Sequence, residues 1–343
     1  CFAMSPVFLG LSLLLLAGAM NGSFTLPMKF MRGWAWENTW LAWTLFALVA
    51  YPGLLTLLTV PHLGQVYSGN LRALVFVAVC GACWGASQVF LGLAVEAIGM
   101  ALSLSVILGL SAAVGSLVPL LTLHAEKIFT LGGGIFLLGI LLVLAGVGLG
   151  ALAGRSREAA SQERPAGGRK KASLLRGLGY CLISGIGSAL VNFGLAFGGP
   201  LIAAAKAAGA TATAAPNGVW LPLMLAGAVP NSLYSLVLMR RHRTAFRFRE
   251  PGTGHYWGLA AIMAVCWFGS TVLYGVAAVH LGDLGPVLGW PLYMSLIVMT
   301  ATLLGVATGE WKHAGRRPLH LMFASVGVLV AAIFVLSLAS RWT

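Results

Sequence analysis

Ten apolar runs, each close to the length of a membrane-crossing helix, leave this chain few folds to choose from. They fall at roughly residues 6–26, 36–58, 72–94, 99–121, 129–150, 174–197, 217–239, 256–279, 284–306 and 319–340. A helix rises about 1.5 Å per residue, so about 20 apolar residues cross the hydrocarbon core. None of the runs shows the period-two alternation of a barrel strand, so the spans are predicted to be helices. Composition agrees: 59% of the residues are hydrophobic and only 8% are charged. A soluble domain carries about 25% charged residues, so this chain cannot coat a water-facing surface of its size. The fold class is an all-α polytopic membrane protein in contact with lipid. The first run carries a signal-like Ala17-x-Ala19 but has no basic leader, and it reads as a retained helix.

The charges in the loops set an orientation. Seventeen of the 21 Lys and Arg residues lie in the loops after spans 1, 5, 7 and 9, all on one face. The positive-inside rule makes that face cytoplasmic and puts both termini outside. The net charge of +13 therefore speaks for topology and against a nucleic-acid partner. Residues 151–173 are rich in Arg, Lys, Gly and Ser and read as a basic linker between two five-span halves, 1–150 and 174–343. Five is odd, so the second half is expected to insert upside down, as an inverted repeat.

A duplicated stretch supports two copies of one unit. Cys83–Gly99 returns 183 positions later as Cys266–Gly282, pairing Cys83 with Cys266, Trp84 with Trp267, Ser87 with Ser270, Gly92 with Gly275 and Gly99 with Gly282. The copies occupy spans 3 and 8, and Trp84 and Trp267 are expected to approach one central cavity from opposite sides. Gly115, Gly148 and Gly305 are expected to permit close helix packing.

No catalytic constellation is visible, so the chain does not read as an enzyme. There is no phosphate-binding glycine loop, no metal-spaced cluster and no nucleophile with a base; neither a metal nor another cofactor is expected. The cysteines lack the four-ligand spacing of a zinc site and read as small packing residues.

The polar residues that fall within spans are mostly neutral. Asn21, Gln88, Asn192 and Asn231 either bond to neighbouring helices or line a wet cavity, because an unpartnered amide in hydrocarbon is costly. Amides both donate and accept, as a polyol ligand requires. Trp84, Trp267, Tyr274, Trp290 and Tyr293 join them as rings on which a pyranose face could stack. Trp40, Trp257, Trp311 and Trp342 sit near span ends and read as interfacial anchors.

A proton-coupled carrier needs a titratable group reached from both sides in turn. Glu37, Glu96, Asp283, His280 and Glu310 are the choices. Lys29 and Glu37 could pair across the corner between spans 1 and 2. Asp283 opens span 9, either as a helix cap or in coupling. Glu310 stands near Arg316 and Arg317, either as a structural ion pair or in coupling.

Three stretches carry a resemblance: Trp34-Ala-Trp36-Glu37-Asn-Thr-Trp40, Gly81-Ala-Cys-Trp84-Gly85, and Glu310-Trp311-Lys-His-Ala314-Gly315-Arg316-Arg317-Pro318. Together with the span order, they resemble the bacterial L-rhamnose–proton symporter family of the drug/metabolite transporter superfamily. That resemblance implies ten helices in an inverted repeat and a sugar substrate, L-rhamnose or a related deoxy-sugar, entering with a proton. It also sets Lys29 and Glu37 at the basic corner after helix 1, and Glu310 with Arg316 and Arg317 at the cytoplasmic end of helix 9. The alternative from the wider superfamily is an exporter of small amphiphilic metabolites or cations.

Overall fold

The structure, a computed structural model, describes residues 5–160, 171–309, 311–312 and 314–339. Among these residues the regular elements are all helical, and ten helices are long and apolar enough to cross a membrane. They are α1 (Pro6–Ser23), α2 (Trp36–Thr59), α3 (Leu71–Ile98), α4 (Met100–Leu123), α5 (Leu131–Ala160), α6 (Lys171–Phe197), α7 (Asn217–His242), α8 (His255–His280), α9 (Gly285–Ala307) and α10 (Arg316–Ala339). Each coincides with one expected span. Large apolar side chains such as Leu57, Leu58, Leu141, Leu175 and Phe334 face outwards, as lipid-contacting residues do.

Local chemistry fixes several boundaries. Ser5 caps α1 by accepting from the Phe8 amide, and Pro6 takes the first turn, where its missing N–H costs nothing. Gly99 (φ 88°) ends α3 and Gly282 (φ 79°) follows α8, so both duplicated glycines take a positive φ where their helix ends. Inside α2, Leu45–Ala50 forms a π-helical turn just ahead of Pro52. Proline cannot donate to the α-helical ladder, and the wider turn takes up that discontinuity. α5 runs on to Ala160, into the stretch expected as linker, because its Arg-containing end favours the helix C-terminus. Arg157 lies over the Trp311 ring, 4.9 Å from its centroid. Trp311 is thus buried with Ala153, Ala314 and Met322, where the sequence suggested an interfacial anchor.

The most extensive helix contacts follow a pattern. α1 packs on α8 and α9, and α6 on α3 and α4. α2 packs on α7 and α8, and α7 on α2 and α3. α5 packs on α4 and α10, α10 on α9 and α5, and α4 meets α9. Adding or subtracting five from each helix number returns the same set of pairs.

Small residues bring these helices close. Gly81 and Gly85 of α3 press on Leu223 and Gly227 of α7, and Gly18 of α1 presses on Leu296 of α9. Gly115 accommodates the Trp290 ring as expected, whereas Gly148 has nothing within 4 Å and makes no close approach.

Candidate functional site

Two polar knots lie between the helices. In the first, Asn21 Nδ2 donates to Ser270 Oγ (2.9 Å) and to the Tyr293 hydroxyl (2.6 Å), joining α1 to α8 and α9. The Ser270 and Tyr293 hydroxyls are themselves 2.7 Å apart. In the second, Asn192 of α6 is fully buried; its Nδ2 donates to the Gly115 carbonyl (2.8 Å) and the Pro286 carbonyl (3.0 Å). Its Oδ1 accepts from the Tyr274 hydroxyl. Trp290 Nε1 donates to the Ser111 carbonyl at 2.9 Å. The Tyr274 and Tyr293 rings stack at 5.2 Å and link the two knots.

Beside the knots runs a row of indoles. Trp36, Trp40 and Trp43 share one face of α2, with centroid spacings of 5.0 Å and 4.6 Å. Trp43 meets Trp267 edge-on at 5.2 Å, and Trp267 stacks on Trp84 at 5.4 Å with 17° between planes. The duplicated tryptophans therefore touch each other directly, where the sequence suggested opposite walls of a cavity. Their surroundings are duplicated too. Ser87 Oγ donates to the Trp84 carbonyl and Ser270 Oγ to the Trp267 carbonyl, both at 2.6 Å. The Trp84 ring covers Gly227 of α7, where a Cβ would lie 2.8 Å from the indole.

At the end of α2 that the loop charges mark as basic, Glu37 is the one buried carboxylate among the described residues. Its Oε1 accepts from Thr244 Oγ1 (2.7 Å) and lies 3.1 Å from His242 Nδ1. The residue between those partners, Arg243, has φ 56°, a left-handed turn that brings both onto one oxygen. Asn38 Nδ2 donates to the Thr244 carbonyl. Next to it, Trp34 is enclosed edge-on by Phe248, Tyr256 and Trp257, which places Trp257 inside a cluster where an interfacial anchor was expected.

The structure sorts the remaining expectations. Asn231 accepts from Trp40 Nε1 (3.1 Å) and donates to its own helix at Gly227, so Trp40, expected as an interfacial anchor, also has a partner on another helix. Gln88 folds back on its own helix, its Nε2 3.5 Å from the Trp84 carbonyl, and joins neither knot. Lys29 reaches Thr308 Oγ1 (3.1 Å), tying the turn after α1 to the end of α9. Asp283 is exposed two residues ahead of α9; Leu284 holds the cap position and no side chain caps it. Arg316 and Arg317 are exposed in the first turn of α10, and Glu310 lies outside the described residues. Sequence reasoning missed Trp43, His242 and Thr244. The Trp36, Trp40, Trp43 spacing of four and three was the signal for the first, since it puts all three on one helix face.

Ten apolar helices enclosing a seam of amides, phenols and indoles define a helical membrane transporter. The family model described as L-rhamnose-proton symport protein (RhaT) matches residues 4–340, and the chain belongs to that family. It is 25% identical over 336 residues to the L-rhamnose-proton symporter of Shigella dysenteriae serotype 1 (strain Sd197), covering 96% of both chains. The L-rhamnose-proton symporters of Escherichia coli strains 55989 / EAEC and O8 (strain IAI1) match at the same identity and coverage.

Proposed function

We propose that this chain imports L-rhamnose or a closely related deoxy-sugar together with a proton, by alternating access. In this reading the two five-helix halves, 1–150 and 174–343, are an inverted repeat joined by the basic segment 151–173. They rock about the seam that Trp84 and Trp267 share. Both termini lie outside the bacterial inner membrane, and the loop after α7 lies in the cytoplasm. The observation that carries the proposal is the seam itself, where amides and aromatic rings from both halves converge in an apolar interior. Helix pairs that recur on a shift of five support the repeat. Membership in a family described by L-rhamnose-proton symport supports the sugar and the ion.

The test is uptake of labelled L-rhamnose into proteoliposomes with and without an inward proton gradient. One pH unit supplies about 1.4 kcal/mol, so one-to-one symport concentrates the sugar about tenfold at steady state. Absence of saturable uptake, with no competition from any hexose or 6-deoxyhexose, removes the reading.

Glu37 is the proposed coupling carboxylate, buried and held by a histidine and a hydroxyl. Glu37→Gln keeps an acceptor for Thr244 but cannot gain or lose a proton. Its expected result is sugar exchange at near wild-type rate with loss of acceleration by the pH gradient. Gradient-driven accumulation that survives in the variant would move coupling elsewhere.

A further inference from the structure

The residues that sequence reasoning chose as sugar ligands have most of their hydrogen bonds already made. Both Asn21 donors are engaged, both Asn192 donors and its acceptor are engaged, and the Trp290 indole N–H is held by a backbone carbonyl. A hydroxyl-rich ligand gains little from groups already paired, because each new bond would break an old one. The groups left without partners are therefore the more informative ones.

Among the described residues nine buried side-chain polar atoms have no partner, and three of them sit within one short stretch of α2: Asn38 Oδ1, Trp43 Nε1 and Thr44 Oγ1. Five of the nine are serine hydroxyls, Ser103, Ser111, Ser116, Ser184 and Ser235, and these, like the Thr44 hydroxyl, can rotate towards carbonyls of their own helices. An indole N–H has no such recourse. Trp220 Nε1 is also unpartnered, but it faces Gly275, a bare helix surface. Trp43 stands in the middle of the indole row, between Trp40 and Trp267, and is 2% exposed. Thr44 adjoins the π-helical turn that starts at Leu45, a type of distortion common at functional sites.

We infer that α2 carries a sugar-binding subsite. In it Trp43 offers its ring face and its N–H, and Thr44 its hydroxyl, to a neutral polyol with one apolar face. The ligand class follows from the groups: an indole stacks on the C–H face of a pyranose, and a free N–H and a free hydroxyl suit its oxygens. The inference rests on the sugar-import reading and specifies which helix holds the ring. Alternating access opens the row to admit the ligand, and the ring then replaces indole–indole contact.

The test uses Trp43→Phe and Thr44→Val in the full chain, with L-rhamnose as probe. Trp43→Phe keeps a ring and loses the N–H; Thr44→Val keeps the shape and loses the hydroxyl. Both are expected to raise the KM of uptake about tenfold, the usual effect of one lost polar contact of about 1.4 kcal/mol. Thr44→Val is also expected to keep or raise the melting temperature, because it removes a buried hydroxyl that has no partner in the protein. A merely structural role gives the opposite pattern, a lower melting temperature with unchanged KM, and overturns the inference. Should Trp43→Phe fail to fold, Thr44→Val decides alone. Wild-type protein that takes up sugar alongside variants of unchanged KM overturns only this inference. Wild-type protein that neither takes up nor binds L-rhamnose or any other hexose overturns both it and the sugar-import reading.

Discussion

Asn192→Leu is expected to abolish sugar uptake and to lower stability by several kcal/mol, more than any other single polar replacement in the seam. The leucine is close in size, so little cavity forms; what changes is hydrogen bonding. The Gly115 carbonyl loses its side-chain donor, and the Tyr274 hydroxyl loses Asn192 as acceptor and keeps only the Pro286 carbonyl 3.5 Å away. Each orphaned buried group costs about 1–3 kcal/mol, and here a backbone carbonyl and a phenol lose the same partner together. The four helices joined at this point, α4, α6, α8 and α9, include elements of both halves, so loosening it should disturb the motion as well as the fold. Thermal unfolding of the detergent-purified variant, alongside proteoliposome uptake, measures both effects. Tyr274→Phe removes one bond of the same knot and should show a fraction of the loss. A melting temperature within a degree or two of wild type for Asn192→Leu would show that the knot is not what holds these helices.

The second large effect is steric. Gly81→Val is expected to yield almost no folded protein. Even the first carbon of a side chain at Gly81 would lie 2.0 Å from the Leu223 carbonyl oxygen, and at Gly85 2.4 Å from the Gly227 carbonyl oxygen. These neighbours are backbone atoms of α7, which cannot rotate away, so α3 and α7 must separate. Overpacking that flexible side chains can relieve costs about 1–3 kcal/mol; here relief requires moving a helix, and the cost should exceed that range. Separation would also lift the Trp84 ring off Gly227 and break its stack on Trp267. Gly148→Ala is the matched control. It adds a methyl to another membrane helix where nothing lies within 4 Å, and it should be neutral or stabilising by up to about 1 kcal/mol through helix propensity. Size-exclusion profiles of the three proteins after mild solubilisation distinguish the outcomes. Monodisperse Gly81→Val at wild-type yield would contradict the close α3–α7 approach.

Some of this was legible in the residues alone. The Cys-Trp-x-x-Ser duplication announced matched helices, and the structure repeats its serine-to-carbonyl bond and its glycine break in both copies. The Trp-x-Trp-Glu and Glu-Trp-x-x-Ala-Gly-Arg-Arg-Pro runs pointed to the family that the full-length match then showed. The partners of those residues were not legible. Asn21 meets Ser270 across 249 positions, and Glu37 meets Thr244 across 207. Gln88, the one glutamine inside an expected span, folds back onto its own turn. Trp40, read as an interfacial anchor, also bonds Asn231 on another helix.

The physical reason is the solvent. Lipid accepts apolar residues on the outer face of a helix as readily as the interior does on the inner face, so these helices carry apolar residues all round. Length and hydrophobicity then determine how many helices cross and where each begins, and loop charges bear on which way they run. The sequence by itself thus determined a ten-span helical chain and a repeated Cys-Trp-x-x-Ser stretch in two of its spans. Without an apolar stripe to mark the inward face, it could not say which side of α2 turns towards Trp267, or that Trp43 stands there with an unpartnered N–H. Only the packing of glycine against backbone and ring against ring decided that, because in a membrane close contact between helices fixes which face is inside.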